Sequence, residues 1–345
     1  MKKSTLVLCA CAMLCACSNK DNKEETTKAL ETKAVATTSE TKAETKAETK
    51  ETQTVKSTEA TKATEKSSKT SKNLYEEFLG GSGKLYFDNT VFTSSESFVA
   101  GKGYTISEVK ENIAKEFMAD ASKVVVQYIE ADFGSDGKKE MRISFSNFFD
   151  DEPMGAVIMG VKDIDGKLEC CIIGENIYRT YFEINQNGFV STGGSGGAAL
   201  HISTTYIVDK DGVAHHICTQ EFESGNEDLI LHTEYKAFFD ALYEAGFKDE
   251  DAILCMVKTV INEGSEKEEN YISLMAYSPV DYTQTIDESK IYADDSVYML
   301  AINKSKLDVV KPSEVDELIR KREASLGVTE GTRNGAEAEW KTLNN

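Results

Sequence analysis

Net positive charge is missing from this chain: its formal charge is −20 at pH 7. That argues against a nucleic-acid partner, because phosphates would meet a surface of like sign. It suits cation binding, standing off an anionic surface, or simple solubility. A long hydrophobic run is also missing. The apolar stretch at residues 6–16 falls short of the roughly 20 residues a membrane-spanning helix needs. Paired cysteine spacing is absent, which excludes the usual structural zinc site. Residues 18–72 contain no aromatic side chain and almost no large apolar one. Such a segment cannot bury enough surface to offset its chain entropy.

What is present begins at the N-terminus. Lys2 and Lys3 precede the short apolar run, the layout of a signal peptide over residues 1–16. Leu14-Cys15-Ala16-Cys17 resembles the lipobox of bacterial lipoproteins, with Leu8-Cys9-Ala10-Cys11 a weaker second match. That resemblance implies cleavage before Cys17, lipidation of its thiol with palmitate among the acyl chains, and an anchored protein on the outer face of the cell membrane. Several acyl chains hold far more firmly than one. Residues 17–72 then read as the lipidated cysteine followed by a disordered, low-complexity Thr/Lys/Glu/Ala/Ser tether. The folded part is expected at 73–345, with a possible sub-boundary near 228.

Within the folded part, residues 73–81 predict a short helix ending at glycines. Thr105 and Glu108 make a capping box for a helix carrying Ile106, Val109, Ile113 and Phe117 on one face. Four turn signals follow, at Asp136-Gly137, Asp165-Gly166, Asn187-Gly188 and Asp211-Gly212, each between apolar runs. These dipeptides suit type I′ hairpins, whose central residues both need positive φ. They predict an antiparallel meander of about eight strands. Beyond it, Leu231, Tyr235, Phe238, Phe239 and Leu242 predict one face of a helix. Asp249 is placed to cap another through about residue 261, although "AILCMVKTVI" also suits a strand. "NYISLMAY" and "SVYMLAI" read as strands. A last helix starts at Pro312 with Ser313 as cap and stops at Gly327, and the residues after it are expected to fray. The class is α+β, an antiparallel β-meander of hairpins flanked by helices after a disordered tether. Cys170, Cys171, Cys218 and Cys255 lie in apolar runs and are expected as free buried thiols.

Two segments carry chemistry. In "DFGSDGKKE", Asp132, Asp136 and Glu140 take positions 1, 5 and 9 of a calcium-loop pattern, and Gly137 permits the bend. Ca²⁺ seeks six to eight oxygens, but position 3 is Gly134 and position 12 is Ile143, so the alternative is a polar hairpin turn. In "FVSTGGSGGAALH", Gly193 to Gly197 fit G-x-S-x-G around Ser195. A nucleophile elbow needs a strand before the serine and a helix after it. The following residues read as loop and strand, and a triad drawn from Asp209 or Asp211 with His215, His216 or His232 has no special spacing. Nor does a Gly-Lys-Ser/Thr ending mark a phosphate loop. Gly194, Ser195, Gly196 and His201 are therefore expected as a ligand loop between strands, not a catalytic centre. His215 and His216 are expected to alternate across a strand.

The segments "YIEADFGSDGKKEMRISF", "VKDIDGKLECC" and "YRTYFEINQNGFVSTGGSGGAALH", behind a lipobox and tether, resemble a group of uncharacterised lipoproteins of anaerobic Gram-positive bacteria. The likeness covers most of residues 73–220. It implies a cell-surface location and transfers no catalytic residue. Three functional classes follow: a surface binding module for a glycan, peptide or ion; a structural or envelope-maintenance lipoprotein whose ligand is another protein; and a serine hydrolase using Ser195. The first is expected, without enzymatic activity. The hairpin pattern argues against the two parallel-sheet lobes of a transporter's substrate-binding lipoprotein.

Overall fold

The structure is a computed structural model that describes residues 73–93, 98–148, 155–335 and 339–343. The signal peptide, Cys17 and the tether lie outside the described residues. The fold is α+β, built on two sheets. The chain enters through α1 (Leu74–Leu79) and the two-residue strands β1 (Leu85–Tyr86) and β2 (Val91–Phe92). Helix α2 (Ile106–Glu116) follows, and its Thr105–Glu108 capping box is formed.

The eight strands of the meander are all present: β3 (Val125–Ala131), β4 (Glu140–Ser146), β5 (Ala156–Ile164), β6 (Lys167–Asn176), β7 (Thr180–Ile184), β8 (Phe189–Ser195), β9 (Leu200–Val208) and β10 (Ala214–Ser224). They divide between β6 and β7. In the first sheet, β3 to β6 run antiparallel, β1 and β2 join β6 in parallel, and β13 (Lys341–Thr342) closes the other edge against β3. The second sheet runs β7 to β12 in chain order, using β11 (Ile253–Ile261) and β12 (Glu269–Tyr277). Because β10 pairs with β11, this sheet is continuous across residue 228.

The first sheet has both faces covered. Phe78, Ile106, Val109 and Ile113 pack on one face, against Ile143, Phe145, Met159 and Ile173. Its other face meets the second sheet through Cys171 and Ile172 against Phe182, Ile184, Val190 and Val208. The apolar run Cys170–Ile173 fits this position, because a strand covered on both faces loses its alternation. Gly174 lets the sheets close: a Cβ there would lie 2.0 Å from Phe182 Cδ2. All four described cysteines are free and buried.

The remaining helices are α3 (Asn226–Leu229), α4 (Lys236–Glu244), α5 (Glu288–Ile291), α6 (Val297–Ser305), α7 (Pro312–Ser325) and α8 (Glu330–Arg333). Side chains of α3 to α6 pack on Leu254, Met256, Leu274 and Ala276 of β11 and β12. Leu318 and Ile319 of α7 cover Ile207, Ile217 and Ile261.

Several expectations are corrected. "SVYMLAI" is helix α6: Ser296 caps Met299 N at 3.0 Å, and Tyr298, Ala301 and Ile302 are buried at helical spacing. Residues 253–261 form strand β11, with pairing partners on both sides that outweigh the cap at Asp249. Leu231 is exposed, because α4 begins only at Lys236. Ser313 does not cap α7, whose cap residue is Lys311; its hydroxyl instead donates to Glu288 Oε1 at 2.6 Å. The C-terminal segment pairs at Lys341 and Thr342 instead of fraying there.

Only one of the four turns has positive φ at both residues of its dipeptide, Asp165 (54°) and Gly166 (82°). At Asn185–Gly188 and Asp209–Gly212, the glycine N–H donates to the carbonyl three residues back and the glycine alone has positive φ. This is a type I turn closed by a left-handed glycine, the three-residue hairpin solution. Asp136 has φ −94°, and the left-handed residues around it are Gly134, Ser135 and Gly137.

Candidate ligand-binding cleft

The inner face of the second sheet changes character along its length. On β8 this face runs Val190, Thr192, Gly194; on β9 it runs Val208, Tyr206, Thr204, Ile202, in matching register. Strand alternation puts these residues on one side. The valines are buried against the first sheet. Beyond them the β8 side chains shrink to threonine and glycine, and a cleft of about 490 Å³ opens. Phe92, Thr93 and Glu175 line its other wall, at the ends of β2 and β6, with Thr180 from β7. The volume is of the size small-molecule sites occupy.

Its polar groups are oriented. The hydroxyls of Thr93, Thr180 and Thr192 donate to the carbonyls of Ile173 (3.0 Å), Ile177 (2.7 Å) and Tyr181 (3.0 Å). Ser195 Oγ donates to Gly197 O at 2.6 Å. A hydroxyl whose proton is committed to a carbonyl can only accept from a ligand. Burial pushes the Tyr206 hydroxyl above its usual pKa, and Glu263 adds to that. The hydroxyl has no hydrogen-bond partner among the described residues.

Gly194, Ser195 and Gly196 line this cleft as a ligand loop should. His201 does not. It and its register partner Ser195 stand next to cleft-lining Ile202 and Gly194, so pleating turns both side chains to the opposite face of the sheet. The His201 Nε2 is buried without a hydrogen bond. No elbow forms around Ser195, where β8 ends and a short bend, closed by Gly196 N to Leu200 O at 2.9 Å, returns into β9. His215 pairs with Asp209 (2.8 Å) and His232 with Glu223 (2.7 Å), and neither bonds Ser195. The sequence reading missed Thr192, Thr204, Tyr206 and the wall from the first sheet. The available signal was alternate threonine and glycine on strand faces otherwise apolar.

Beside the cleft, the ring of His216 meets Tyr206 edge-on at 5.4 Å. His216 Nδ1 accepts from Glu263 N (2.9 Å), so that nitrogen carries no proton, and Nε2 bonds Thr219 Oγ1 (2.9 Å). Burial lowers the His216 pKa; Glu263 opposes the shift and Arg322 reinforces it. The folded state therefore favours the neutral ring, and below the unfolded pKa of about 6.5 the unfolded state binds more protons. His216 should contribute stability above that pH that is lost as the pH falls through and below it. Urea unfolding of wild type and His216→Gln from pH 7.5 to 5 checks this: the variant should show the shallower loss, and equal slopes would contradict it.

The acidic loop does gather its three carboxylates, with one oxygen from each of Asp132, Asp136 and Glu140 within 4.8 Å of the others. Each already has donors. Asp132 accepts from Gly137 N (3.0 Å) and Asp136 from Lys138 N (2.8 Å). Glu140 accepts from Phe133 N (2.7 Å) and is paired with the buried ammonium of Lys162. Glu140 and Lys162 are only 2% and 3% exposed, so the positive charge this cluster needs is supplied by the chain itself. A Ca²⁺ ion would have to displace that ammonium to gain Glu140 as a ligand.

No protein-family model, curated protein or solved structure matches the chain. No helix among the described residues is long and apolar enough to cross a membrane.

Proposed function

We propose that this protein is a lipid-anchored surface binding module, held to the outer face of the membrane through Cys17 and capturing a small ligand in the cleft between its sheets. The observation that carries the binding role is that cleft: a space of ligand size with mixed apolar and hydroxyl lining, walled by two sheets and floored by Thr192, Thr204 and the glycines of β8. The lipobox supports the anchor. No described serine or histidine is set up for nucleophilic attack, which favours binding over hydrolysis.

Two measurements test the two halves. With an alkyne-tagged palmitate analogue, the wild-type chain should label and fractionate with membranes, whereas Cys17→Ala should be unlabelled and released or left unprocessed. Lipid labelling of the variant would sink the anchor. For the cleft, a small-molecule fragment screen read by amide chemical shifts should move Thr192, Thr204 and Tyr206 together, and Ile202→Trp, which fills the space, should abolish those shifts. Hits confined to other surfaces would overturn the cleft as the site.

A further inference from the structure

We infer that the cleft takes an uncharged saccharide, an inference that rests on reading the cleft as the ligand site. Its walls are rich in acceptors and poor in donors. Thr93, Thr180 and Thr192 have given their protons to backbone carbonyls, and Thr180 also accepts from Ile177 N, so toward a ligand these hydroxyls act as acceptors. Among the described residues, lysine, arginine and histidine are absent from the lining, and Glu175 is its charged side chain. Residues 73–345 hold 49 acidic and 25 basic side chains. An anionic ligand would meet several acceptors and the Glu175 carboxylate with few donors to compensate, the Tyr206 hydroxyl among them, a costly arrangement. An apolar ligand would leave the same acceptors unmatched.

The complementary ligand is therefore rich in hydrogen-bond donors and carries no negative charge. A single ammonium group meets that description at one point only. Here the acceptors are distributed over both walls, Thr93 on the first sheet and Thr180 and Thr192 on the second. A pyranose ring carries hydroxyl donors around its whole edge and so can reach both. Phe92, Ile202 and Tyr206 supply apolar surface for the C–H faces of the ring. The Tyr206 hydroxyl, unpartnered among the described residues, is the group that would bond the sugar without first breaking a protein contact.

The test titrates the full chain with cellotetraose, chitotetraose and mannotetraose as uncharged probes. Tetragalacturonate is the anionic control and spermidine the ammonium control; binding is read by calorimetry and by amide shifts of Thr192, Thr204 and Tyr206. At least one uncharged probe should bind at millimolar concentration or below and move those amides, and tetragalacturonate should not. Tyr206→Phe should weaken that binding by up to about tenfold, the worth of one hydrogen bond, with the melting temperature unchanged. Thr192→Val should weaken it as well, but at some cost in stability, because it frees the Tyr181 carbonyl. Equal or tighter binding of tetragalacturonate overturns the saccharide assignment. So does binding of spermidine at these amides with all three saccharides silent, although the cleft then survives as a site. If neither the probes nor the fragments of the earlier screen move these amides, both readings fall.

Discussion

Lys162→Met should cost about 3–5 kcal/mol of folding stability, the range for removing one partner of a buried ion pair. Glu140 lies on β4 and Lys162 opposite it on β5, between the two sheets, beside Phe133 and Cys171. Removing the ammonium leaves a carboxylate that is 2% exposed with one backbone donor, the Phe133 N–H. Burial already holds the Glu140 pKa above its usual value despite Lys162. The double variant Glu140→Gln with Lys162→Met should recover most of the loss, since a glutamine carbonyl still accepts from Phe133 and no charge is stranded. Denaturant unfolding of the three proteins decides the matter. A single-variant loss below about 1 kcal/mol, the worth of an exposed pair, would show that water reaches the site.

Gly134→Ala should be nearly as damaging. The glycine sits at φ +74°, and a Cβ would lie 2.2 Å from the backbone nitrogen of Lys210 and 2.6 Å from its Cα. The loop between β3 and β4 is thus pressed onto the β9–β10 hairpin, backbone against backbone, and neither side can yield by changing a rotamer. The left-handed conformation costs alanine about 1–2 kcal/mol, and overpacking adds roughly 1–3. Gly137→Ala is the matched control. It has φ +77° with open space around its Cβ, so it should show the conformational part alone. If the two variants melt together, the loop and the hairpin are not in contact in solution.

The strands of the meander and the capped helix α2 were legible in the sequence because their signals are local: alternation, turn dipeptides, and Thr105 three residues before Glu108. The break into two sheets was not. It falls at residues 177–179, a stretch without glycine or proline, where Tyr178 adopts φ 55°. Only packing between distant strands requires that bend. "SVYMLAI" misled for a related reason, since its β-branched and aromatic residues suit either element and Ser296 decides by capping. The glycine segment, expected as a ligand loop, lines a cleft, but His201 was grouped with it by proximity in sequence, whereas pleating turns adjacent residues to opposite faces. The gathering of Asp132, Asp136 and Glu140 was legible from their spacing, but nothing local reveals that Lys162 arrives beside Glu140 from the next strand.

The strand order also governs how the domain comes together and apart. In the second sheet each strand lies beside the one made just before it, so β7 to β10 assemble by closures of short loops, the cheapest kind in chain entropy, and only the β10–β11 connection, which carries α3 and α4, is longer. The margins of the first sheet differ. Leu85 must find Leu168, and Lys341 must find Tyr128, across most of the intervening chain. These two-residue strands form late and release first. Amide exchange should therefore be fastest at Leu343 N, bonded to Val126 O at 2.9 Å, and slowest within β9 and β10, leaving the frame of the cleft standing after the edges have opened.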